Sequence, residues 1–298
     1  MRLSSQHPAL GTPRLVASPF RQFVRRFWQT RLATVGLAIV VVVVLMAAMA
    51  PVIAPYDPAQ QDIRGILKGP SPTHLLGTDE LGRDTLTRVI FGAQVSLQVG
   101  IIAVGISLFA GGVLGLVAGY ARGLTDAVIM RVADGLLALP PLLLALAITA
   151  MLGPSLNNAM IAIGVTGLPV FARLVRGQVL TVRGLEYIQA ARSLGAGHGR
   201  IMLQHIVPNI LAPVVVQTSL AMPAAILAEA GLSFLGLGVQ PPTPSWGAML
   251  NTAKGYLQRD PWVAVAPGTA IFLAVLGFNF LGDAIRDALD PRLGREQR

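Results

Sequence analysis

Four ionisable side chains lie close together in the first third of the chain, and such a group could hold a metal ion. They are His74, Asp79, Glu80 and Asp84. Imidazole and carboxylate groups are common metal ligands. Thr and Asp in such a stretch, however, also form local hydrogen bonds to the backbone of turns. We favour this second interpretation, a structured polar loop, and we expect neither a metal site nor a cofactor.

The carboxylate of Glu229 is a further candidate, because it falls within an apolar stretch long enough to cross a membrane. A charged group at membrane depth is costly, so it is a functional candidate by default. Two roles are open from the sequence. The carboxylate could contact a solute inside the membrane, or it could reach the outer interface or a helix terminus.

Motifs for nucleotide hydrolysis and for hydrolytic enzymes are absent from the sequence. Its two lysines, Lys68 and Lys254, do not follow a glycine, so there is no G-x-x-x-x-G-K-[ST] phosphate loop. H-E-x-x-H and G-x-S-x-G are also absent. We therefore expect no catalytic residue, and we expect that the chain is neither an ATPase nor another kind of enzyme.

The composition is typical of a protein with several membrane spans. Of the 298 residues, 53% are hydrophobic and 12% are charged, and the mean hydropathy is +0.64. Because the chain contains no cysteine, disulfides and thiolate chemistry are excluded.

Long charge-free runs predict an all-α fold with six transmembrane helices, since a span needs about 20 mostly apolar residues. The predicted spans are about 32–54, 95–120, 134–152, 156–174, 210–230 and 262–282. The third and fourth spans form a hairpin that turns at Gly153-Pro154. Gly111 and Gly115 form a G-x-x-x-G pattern in the second span, which favours close packing of helices.

Arginine and lysine are distributed unequally between the two sides of these spans. Seventeen of the 23 lie in the first 31 residues, in the regions 122–131 and 173–200, or in the C-terminal tail, and six lie on the other side. The positive-inside rule therefore predicts that both termini are cytoplasmic. Ala48-Met49-Ala50 resembles a signal-peptide cleavage site, but Pro51 follows it directly, so we expect an uncleaved first span.

The 186–208 segment, which is predicted to be cytoplasmic, has a pattern of its own. It begins with the helix-tolerant residues E-Y-I-Q-A-A-R-S-L, and glycines interrupt it at Gly195, Gly197 and Gly199. Residues 201–206 can form a second short helix, which Pro208 would end, unless that proline opens the next helix. A helix, a glycine break and a helix form a compact surface on which another protein can dock.

This segment resembles the cytoplasmic loop of ABC importer permeases, in which a Glu-Ala-Ala triplet is followed by a glycine and a late Ile-x-Leu-Pro. Gln189-Ala190-Ala191 stand at the triplet, Gly195 at the glycine, and His205-Ile206-Val207-Pro208 at the end. The residues at 189, 205 and 207 depart from the pattern. The departure at Gln189 weakens any role for a carboxylate there, but it leaves the helix–glycine–helix shape unchanged.

Three further segments are similar to one branch of these permeases, the second permease subunit of dipeptide, oligopeptide, glutathione and nickel importers. They are 76–84 (L-G-T-D-E-L-G-R-D), 232–247 (L-S-F-L-G-L-G-V-Q-P-P, then P-S-W-G) and 278–292 (F-N-F-L-G-D-A-I-R-D, then L-D-P-R). The resemblance covers about residues 30–292.

The resemblance implies the type I ABC importer permease fold in the cell inner membrane. It implies a heterodimer with a homologous permease, two ABC ATPase subunits, an extracytoplasmic solute-binding protein and membrane lipid as partners, but no nucleic acid. The implied ATPase-docking residues are Glu186, Gln189, Ala190, Ala191, Gly195 and Pro208. Glu229 is then a candidate for the translocation path, and Asp79, Glu80, Arg83 and Trp246 are candidates for contact with the binding protein.

Four parts of the chain follow from this interpretation. They are a cytoplasmic segment 1–30 with an interfacial basic helix, the first span and outer loop 31–94, a core 95–283 with five spans, and a cytoplasmic tail 284–298. The expected solute is a small peptide or a related molecule, and nickel or another non-peptide solute is the alternative. A stand-alone secondary carrier or channel is the alternative from a different class. The docking segment and the lack of a row of buried acids argue against it.

Overall fold

A computed structural model describes residues 30–289 and, before them, residues 23–25, 27 and 28. This part of the chain is almost entirely helical and contains no β-strand beyond a single bridge between Thr78 and Asp84. The predicted all-α class is therefore confirmed. Most of the predicted cytoplasmic segment 1–30, and the tail beyond residue 289, lie outside the described residues.

Twelve α-helices, numbered here α1 to α12, follow one another between residues 31 and 289 of the described part. They are α1 Arg31–Ala48, α2 Ala50–Ile53, α3 Thr85–Ile106, α4 Gly112–Ala121, α5 Gly123–Leu137, α6 Pro141–Leu152, α7 Leu156–Arg183, α8 Glu186–Ser193, α9 His198–Arg200, α10 Val207–Phe234, α11 Trp246–Ala253 and α12 Trp262–Leu289. Two π-helical turns, Ser107–Gly111 and Ile201–Ile206, join α3 to α4 and α9 to α10.

Five helical stretches of the described residues are long and apolar enough to cross a membrane. They are Arg31–Ala48, Thr85–Ala121, Leu156–Arg183, His198–Phe234 and Trp262–Leu289. A sixth span results if α5 and α6 are counted together. Several spans are therefore longer than the sequence predicted.

The span predicted over 134–152 is not one continuous helix. α5 ends at Leu137, α6 begins at Pro141, and the two helices are bent by 93°. Pro140 is extended, with ψ 130°, and neither Pro140 nor Pro141 has an N–H group to donate to a preceding turn. A continuous helix through this point would lose two hydrogen bonds, so the chain bends instead.

The predicted hairpin turn at Gly153 is confirmed. Gly153 has φ 91°, a conformation that glycine adopts without steric cost. Ser155 caps α7 by accepting a hydrogen bond from the N–H of Asn158 at 3.1 Å. The Asn158 side chain in turn donates to the carbonyl oxygens of Leu152 and Gly153, each at 2.9 Å. These contacts satisfy polar groups that the end of α6 would otherwise leave without partners.

The span that contains α3 begins ten residues before its predicted start at 95. Asp84 caps α3 at its N-terminus by accepting a hydrogen bond from the N–H of Thr87 at 2.7 Å. The predicted span began later because the charge-free run starts only after Arg88. In the structure the guanidinium of Arg88 is buried and donates to the carbonyl of Pro58 at 3.0 Å, so the helix accommodates it.

Likewise, α7 continues to Arg183 instead of ending near residue 174. Two of its arginines are paired with carboxylates of α5, which explains why charge does not end the helix. Arg176 donates twice to Asp126, at 2.5 and 2.7 Å, and Arg173 donates to Asp134 at 2.6 Å. A pair with two parallel hydrogen bonds is favourable in both geometry and charge.

The helix α7 lies at the centre of the fold and packs against α3, α4, α6 and α10. The contact with α4 is close, because Gly111, Gly115 and Gly119 face α7. A Cβ atom built on Gly115 would lie 2.4 Å from the carbonyl oxygen of Ala172. The predicted G-x-x-x-G pattern therefore forms a helix-packing seam within the chain.

Candidate functional site

The 186–208 segment forms a projection at the end of α7. Its α8 leaves α7 after Leu185, which is extended with ψ 146°. Three isoleucines of the projection are buried and belong to one apolar cluster with valines of α7. The isoleucines are Ile188, Ile201 and Ile206, and the valines are Val175, Val179 and Val182. Because of this packing, a displacement of α8 must be shared by α7.

The glycine at the end of α8 closes a Schellman motif. Gly195 has φ 83°, and its N–H donates to the carbonyl of Arg192 at 2.9 Å. The N–H of Ala196 donates to the carbonyl of Ala191 at 3.1 Å. This pair of bonds ends a helix with a left-handed residue, which glycine adopts at the lowest cost. The helix–glycine–helix shape predicted from the sequence is therefore present.

The outer face of α8 is exposed. Glu186, Gln189 and Ala190 are exposed, whereas Ala191 is half-buried. Leu194, which follows α8, is 88% exposed, an unusual position for a large apolar side chain. Pro208 is also exposed, but it lies beyond the π turn, in the first turn of α10. The sequence allowed Pro208 either to end the short helix before it or to open the next helix, and the second alternative is the one observed. The chain remains helical from His198 to Phe234.

A second connection joins the projection to the spanning helices, and the sequence analysis missed it. The hydroxyl of Tyr120, in the last turn of α4, lies 2.7 Å from Nδ1 of His198 at the start of α9. Arg183 donates to the carbonyl of Tyr120 at 2.7 Å, and its guanidinium stacks over the Tyr120 ring. Tyr120 and His198 are 78 residues apart, and no local pattern links them.

The polar loop before α3 is organised around a buried carboxylate. Asp79 accepts hydrogen bonds from the backbone N–H groups of Leu81 and Arg83, both at 2.9 Å, as the predicted turn requires. Nε of Arg83 donates to the same carboxylate at 2.6 Å, and Nε of Arg88 lies 3.3 Å from it. Two guanidinium groups thus offset the cost of burying Asp79.

Glu80 is attached to the edge of this network. Its carboxylate accepts a hydrogen bond from Arg83 at 2.8 Å. Burial, followed by repulsion from Asp79, raises the pKa of Glu80 above its ordinary value. His74 lies 3.0 Å from Asp84, so the four ionisable side chains noted in the sequence are divided between two separate sets of contacts.

Trp246, the first residue of α11, connects that helix to α3. Its side chain is fully buried, with 0% exposure, and its indole N–H donates to the carbonyl of Val89 at 2.9 Å. Gly92 lies against the indole ring, where a Cβ atom would approach Trp246 to 2.7 Å. Asp79 and Arg83 are buried as well. The side chains of Trp246, Asp79 and Arg83 are therefore enclosed by their own chain. This placement does not favour the predicted direct contact of these three side chains with a partner protein.

Comparison with known proteins identifies the origin of this architecture. Residues 111–295 match the family model described as "Binding-protein-dependent transport system inner membrane component". Residues 18–70 match the "N-terminal TM domain of oligopeptide transport permease C". The chain belongs to the family of binding-protein-dependent transport permeases. Its all-helical structure is accordingly the type I ABC importer permease fold, and the protein is a multi-pass component of the inner membrane.

Relatives of this permease cover nearly the whole chain. The dipeptide transport system permease protein DppC of Alkalihalophilus pseudofirmus is 47% identical over 276 residues, which are 93% of this chain and 91% of the relative. The di/tripeptide transport system permease protein DppC of Pseudomonas aeruginosa is 47% identical over 292 residues, or 96% of each chain. The glutathione transport system permease protein GsiD of Pectobacterium atrosepticum is 44% identical over 279 residues, or 93% of each chain.

Glu229 of the permease lies close to a helix terminus, one of the positions that the sequence left open. It is fully buried, with 0% exposure, near the end of α10. The hydroxyl of Ser233 donates to its carboxylate at 2.6 Å, and the same Ser233 oxygen accepts from the N–H of Val239 at 3.2 Å. Ser233 thus connects Glu229 to the segment that follows α10, and the side chain of Glu229 is enclosed within the chain.

Proposed function

We propose that this permease is one transmembrane subunit of an ATP-driven importer for small peptides, and that the 186–208 segment is its ATPase-docking site. The main support is the geometry of α8. Its outer face carries exposed Gln189, Ala190 and Leu194, while its inner face is fixed to α7 through Ile188. A surface that is exposed on one side and rigidly attached on the other can receive a force and transmit it.

Two routes carry this motion into the membrane. The first is the apolar contact of Ile188 with the valines of α7. The second is the hydrogen bond between His198 and Tyr120, which reaches α4. Since α4 and α7 also share the glycine seam, they move together. ATP-driven closure of two partner ATPase subunits would then tilt these helices and alternate the access of a central path between the two sides.

A homologous permease completes this path in the proposed heterodimer, and an extracytoplasmic binding protein delivers the solute. Relatives named for dipeptides, for di- and tripeptides and for glutathione support a short peptide as the solute. In the outer loop, the buried residues Asp79, Arg83 and Trp246 would hold the surface in shape. Exposed neighbours such as Leu75, which is 61% exposed, would contact the binding protein.

Uptake in vesicles tests this function. The permease is reconstituted with its co-expressed partner subunits, and labelled dipeptide, glutathione or nickel is offered together with the matching binding protein. We expect that a short peptide is taken up, and that this uptake requires ATP on the side of the vesicle membrane where the ATPase subunits lie. Uptake by the isolated chain without ATP would instead identify a stand-alone carrier or channel, and ATP-dependent uptake of nickel alone would replace the peptide assignment.

The proposed orientation makes a prediction that the absence of cysteine renders simple to test. Leu75→Cys and Leu194→Cys replace two well-exposed leucines on opposite sides of the spans. A membrane-impermeant maleimide added to intact cells, after permeabilisation of any outer membrane, should label position 75 and not position 194. The inverse labelling pattern would reverse the assignment of both termini to the cytoplasm.

Gly195 gives a prediction for the docking turn. Space around a Cβ atom at Gly195 is open, so the effect of substitution comes from the positive φ and not from side-chain size. Gly195→Val should lower ATPase association and uptake about fivefold or more, because a left-handed conformation costs a non-glycine residue roughly 1–2 kcal/mol. Membrane abundance should not change.

The matched control is Gly197→Val. Gly197 also has open space around it, but its φ is −65°, which valine adopts readily. Gly195→Asn should retain most activity, since asparagine tolerates the left-handed region. Equal uptake in the two valine variants would show that the turn at Gly195 does not position α8.

A further inference from the structure

A tight turn in the outer loop presents apolar side chains on its surface. A short 3₁₀ turn runs from Ile63 to Gly65. The side chain of Ile63 is 82% exposed, and Ile66 is exposed as well. We call residues 62–68 the tip. The motifs found in the sequence do not include it, and no contact within the chain explains why isoleucine stands at these two positions.

The tip is fixed to the rest of the outer loop by hydrogen bonds. The N–H of Leu67 donates to the carbonyl of Asp79 at 3.1 Å, and the N–H of Thr78 donates to the carbonyl of Lys68 at 2.9 Å. The hydroxyl of Thr78 donates to the carbonyl of Gly65. Because two arginines hold Asp79 in turn, the base of the tip is rigid. A surface that is ordered before it binds loses less entropy on binding.

A third apolar side chain lies beside the tip. Gly82 lies directly against the carbonyl of Asp62 and leaves no room for a Cβ atom there. The neighbouring Leu81, which is exposed, is thereby placed next to the tip. Leu67 has φ 50°, a conformation that costs a bulky residue free energy and persists only where surrounding contacts enforce it. A rigid group of exposed apolar side chains marks an interaction surface.

The charges around the tip indicate the chemistry of its partner. Arg64 and Lys68 are exposed and belong to no ion pair among the described residues. The nearby carboxylates have local donors: Asp62 accepts from the N–H of Arg64 at 3.0 Å, and Asp57 accepts from the N–H of Ala59 at 2.7 Å. The tip thus has an apolar centre and a rim with two unpaired cations. A complementary protein surface is an apolar pocket with carboxylates at its edge.

Polar neighbours argue against a lipid surface as the partner. Gln60, Gln61 and Asp62 are exposed directly before Ile63. Insertion of the tip into lipid would remove water from these groups without giving them hydrogen-bond partners, which is costly. A protein surface can supply such partners at the rim of a contact.

We propose that the tip inserts Ile63 into an apolar pocket of the extracytoplasmic solute-binding protein, and that carboxylates at the edge of this pocket pair with Arg64 and Lys68. This inference rests on the proposed function, because it requires an importer with a binding protein on the side of the outer loop. It identifies a docking element outside the recognisable motifs and states the chemistry of the surface that receives it.

Binding to the whole complex tests the proposal. The permease and its partner subunits are placed in nanodiscs, and the purified solute-binding protein of the same importer, loaded with a short peptide, is added. Biolayer interferometry gives the association and dissociation rates. Ile63→Ser should weaken binding by about tenfold or more, mainly through faster dissociation, because it removes the buried apolar anchor. R64Q/K68Q should slow association severalfold at low salt and much less at high salt.

Val52→Ser is the matched control. Val52 is 78% exposed, but it belongs to α2 and not to the tip. This variant should bind like the wild type, and Ile63→Leu should retain most of the affinity because it keeps an apolar side chain of the same size. ATPase activity in the absence of the binding protein should be equal in all variants, which shows that the complexes are intact.

The outcomes separate the tip from the function on which it rests. No binding by the wild type would overturn both the importer function and the role of the tip. Equal binding by the wild type and Ile63→Ser would overturn the role of the tip alone, and so would an equal loss in Val52→Ser. If Ile63→Ser bound normally but no longer co-purified with the homologous permease, the tip would contact that subunit, and the proposed partner would be wrong.

Discussion

Ala190→Trp should strongly reduce ATP-dependent uptake while leaving the permease in the membrane. Ala190 lies on the exposed face of α8 and makes no buried contact, so a large side chain does not disturb folding. A docking partner, however, needs close contact with this face. Bulk placed at the centre of an interface removes the interactions that carry most of its binding free energy, so uptake should fall by at least about tenfold.

The measurement combines three readings on the same cells: membrane abundance, co-purification of the ATPase and peptide uptake. Ala127→Trp is the matched control, because Ala127 is an exposed alanine of α5, away from α8 and on the side predicted to be cytoplasmic. It should leave all three readings close to the wild type. If Ala190→Trp retained both ATPase association and uptake, α8 would be a connector, and the proposed docking site would be wrong.

The local rules of helices were sufficient to predict the shape of the 186–208 segment. Gly195 was expected to interrupt the helix-tolerant run that precedes it, and it does so by closing the Schellman motif with φ 83°. Gly153 was expected to turn a hairpin and does so. Such features depend on a few adjacent residues, which is why a single sequence reveals them.

The bend between α5 and α6 could also have been predicted, but the length of the apolar run obscured it. Two adjacent prolines, Pro140 and Pro141, stand at the bend and remove two donors. Hydropathy alone treated the run as continuous. The exact helix ends also depend on tertiary contacts: α7 extends past residue 174 because Asp126 and Asp134 of α5 pair with its arginines.

The sequence did not allow us to predict whether the candidate site residues are exposed or buried. Trp246 is buried because its indole N–H reaches the carbonyl of Val89, 157 residues earlier in the chain. Asp79 is buried because Arg88 of α3 joins Arg83 at its carboxylate. These contacts are set by the packing of distant elements, so a single sequence does not reveal that the side chains are buried.

The second large effect is expected for Gly115→Val, which should lower the amount of permease in the membrane fraction severalfold. Gly115 lies in the seam between α4 and α7, where a Cβ atom would stand 2.4 Å from the carbonyl oxygen of Ala172 and 2.9 Å from Cβ of Val175. A backbone oxygen cannot rotate away as a side chain can. The two helices must therefore separate, and this loses the close contact that stabilises helix pairs in lipid.

Gly112→Val is the control for this prediction, because it places the same β-branched residue in the same helix at a position with open space around it. Overpacking of a tight contact costs about 1–3 kcal/mol or more. Gly115→Val should therefore reduce membrane abundance severalfold more than Gly112→Val, and it should also lower the aggregation temperature more. Abundance is read by quantitative immunoblotting, and stability by the aggregation temperature in detergent. If both variants accumulated equally and showed the same aggregation temperature, α4 and α7 could separate without cost, and their proposed joint movement during transport would lose its structural basis.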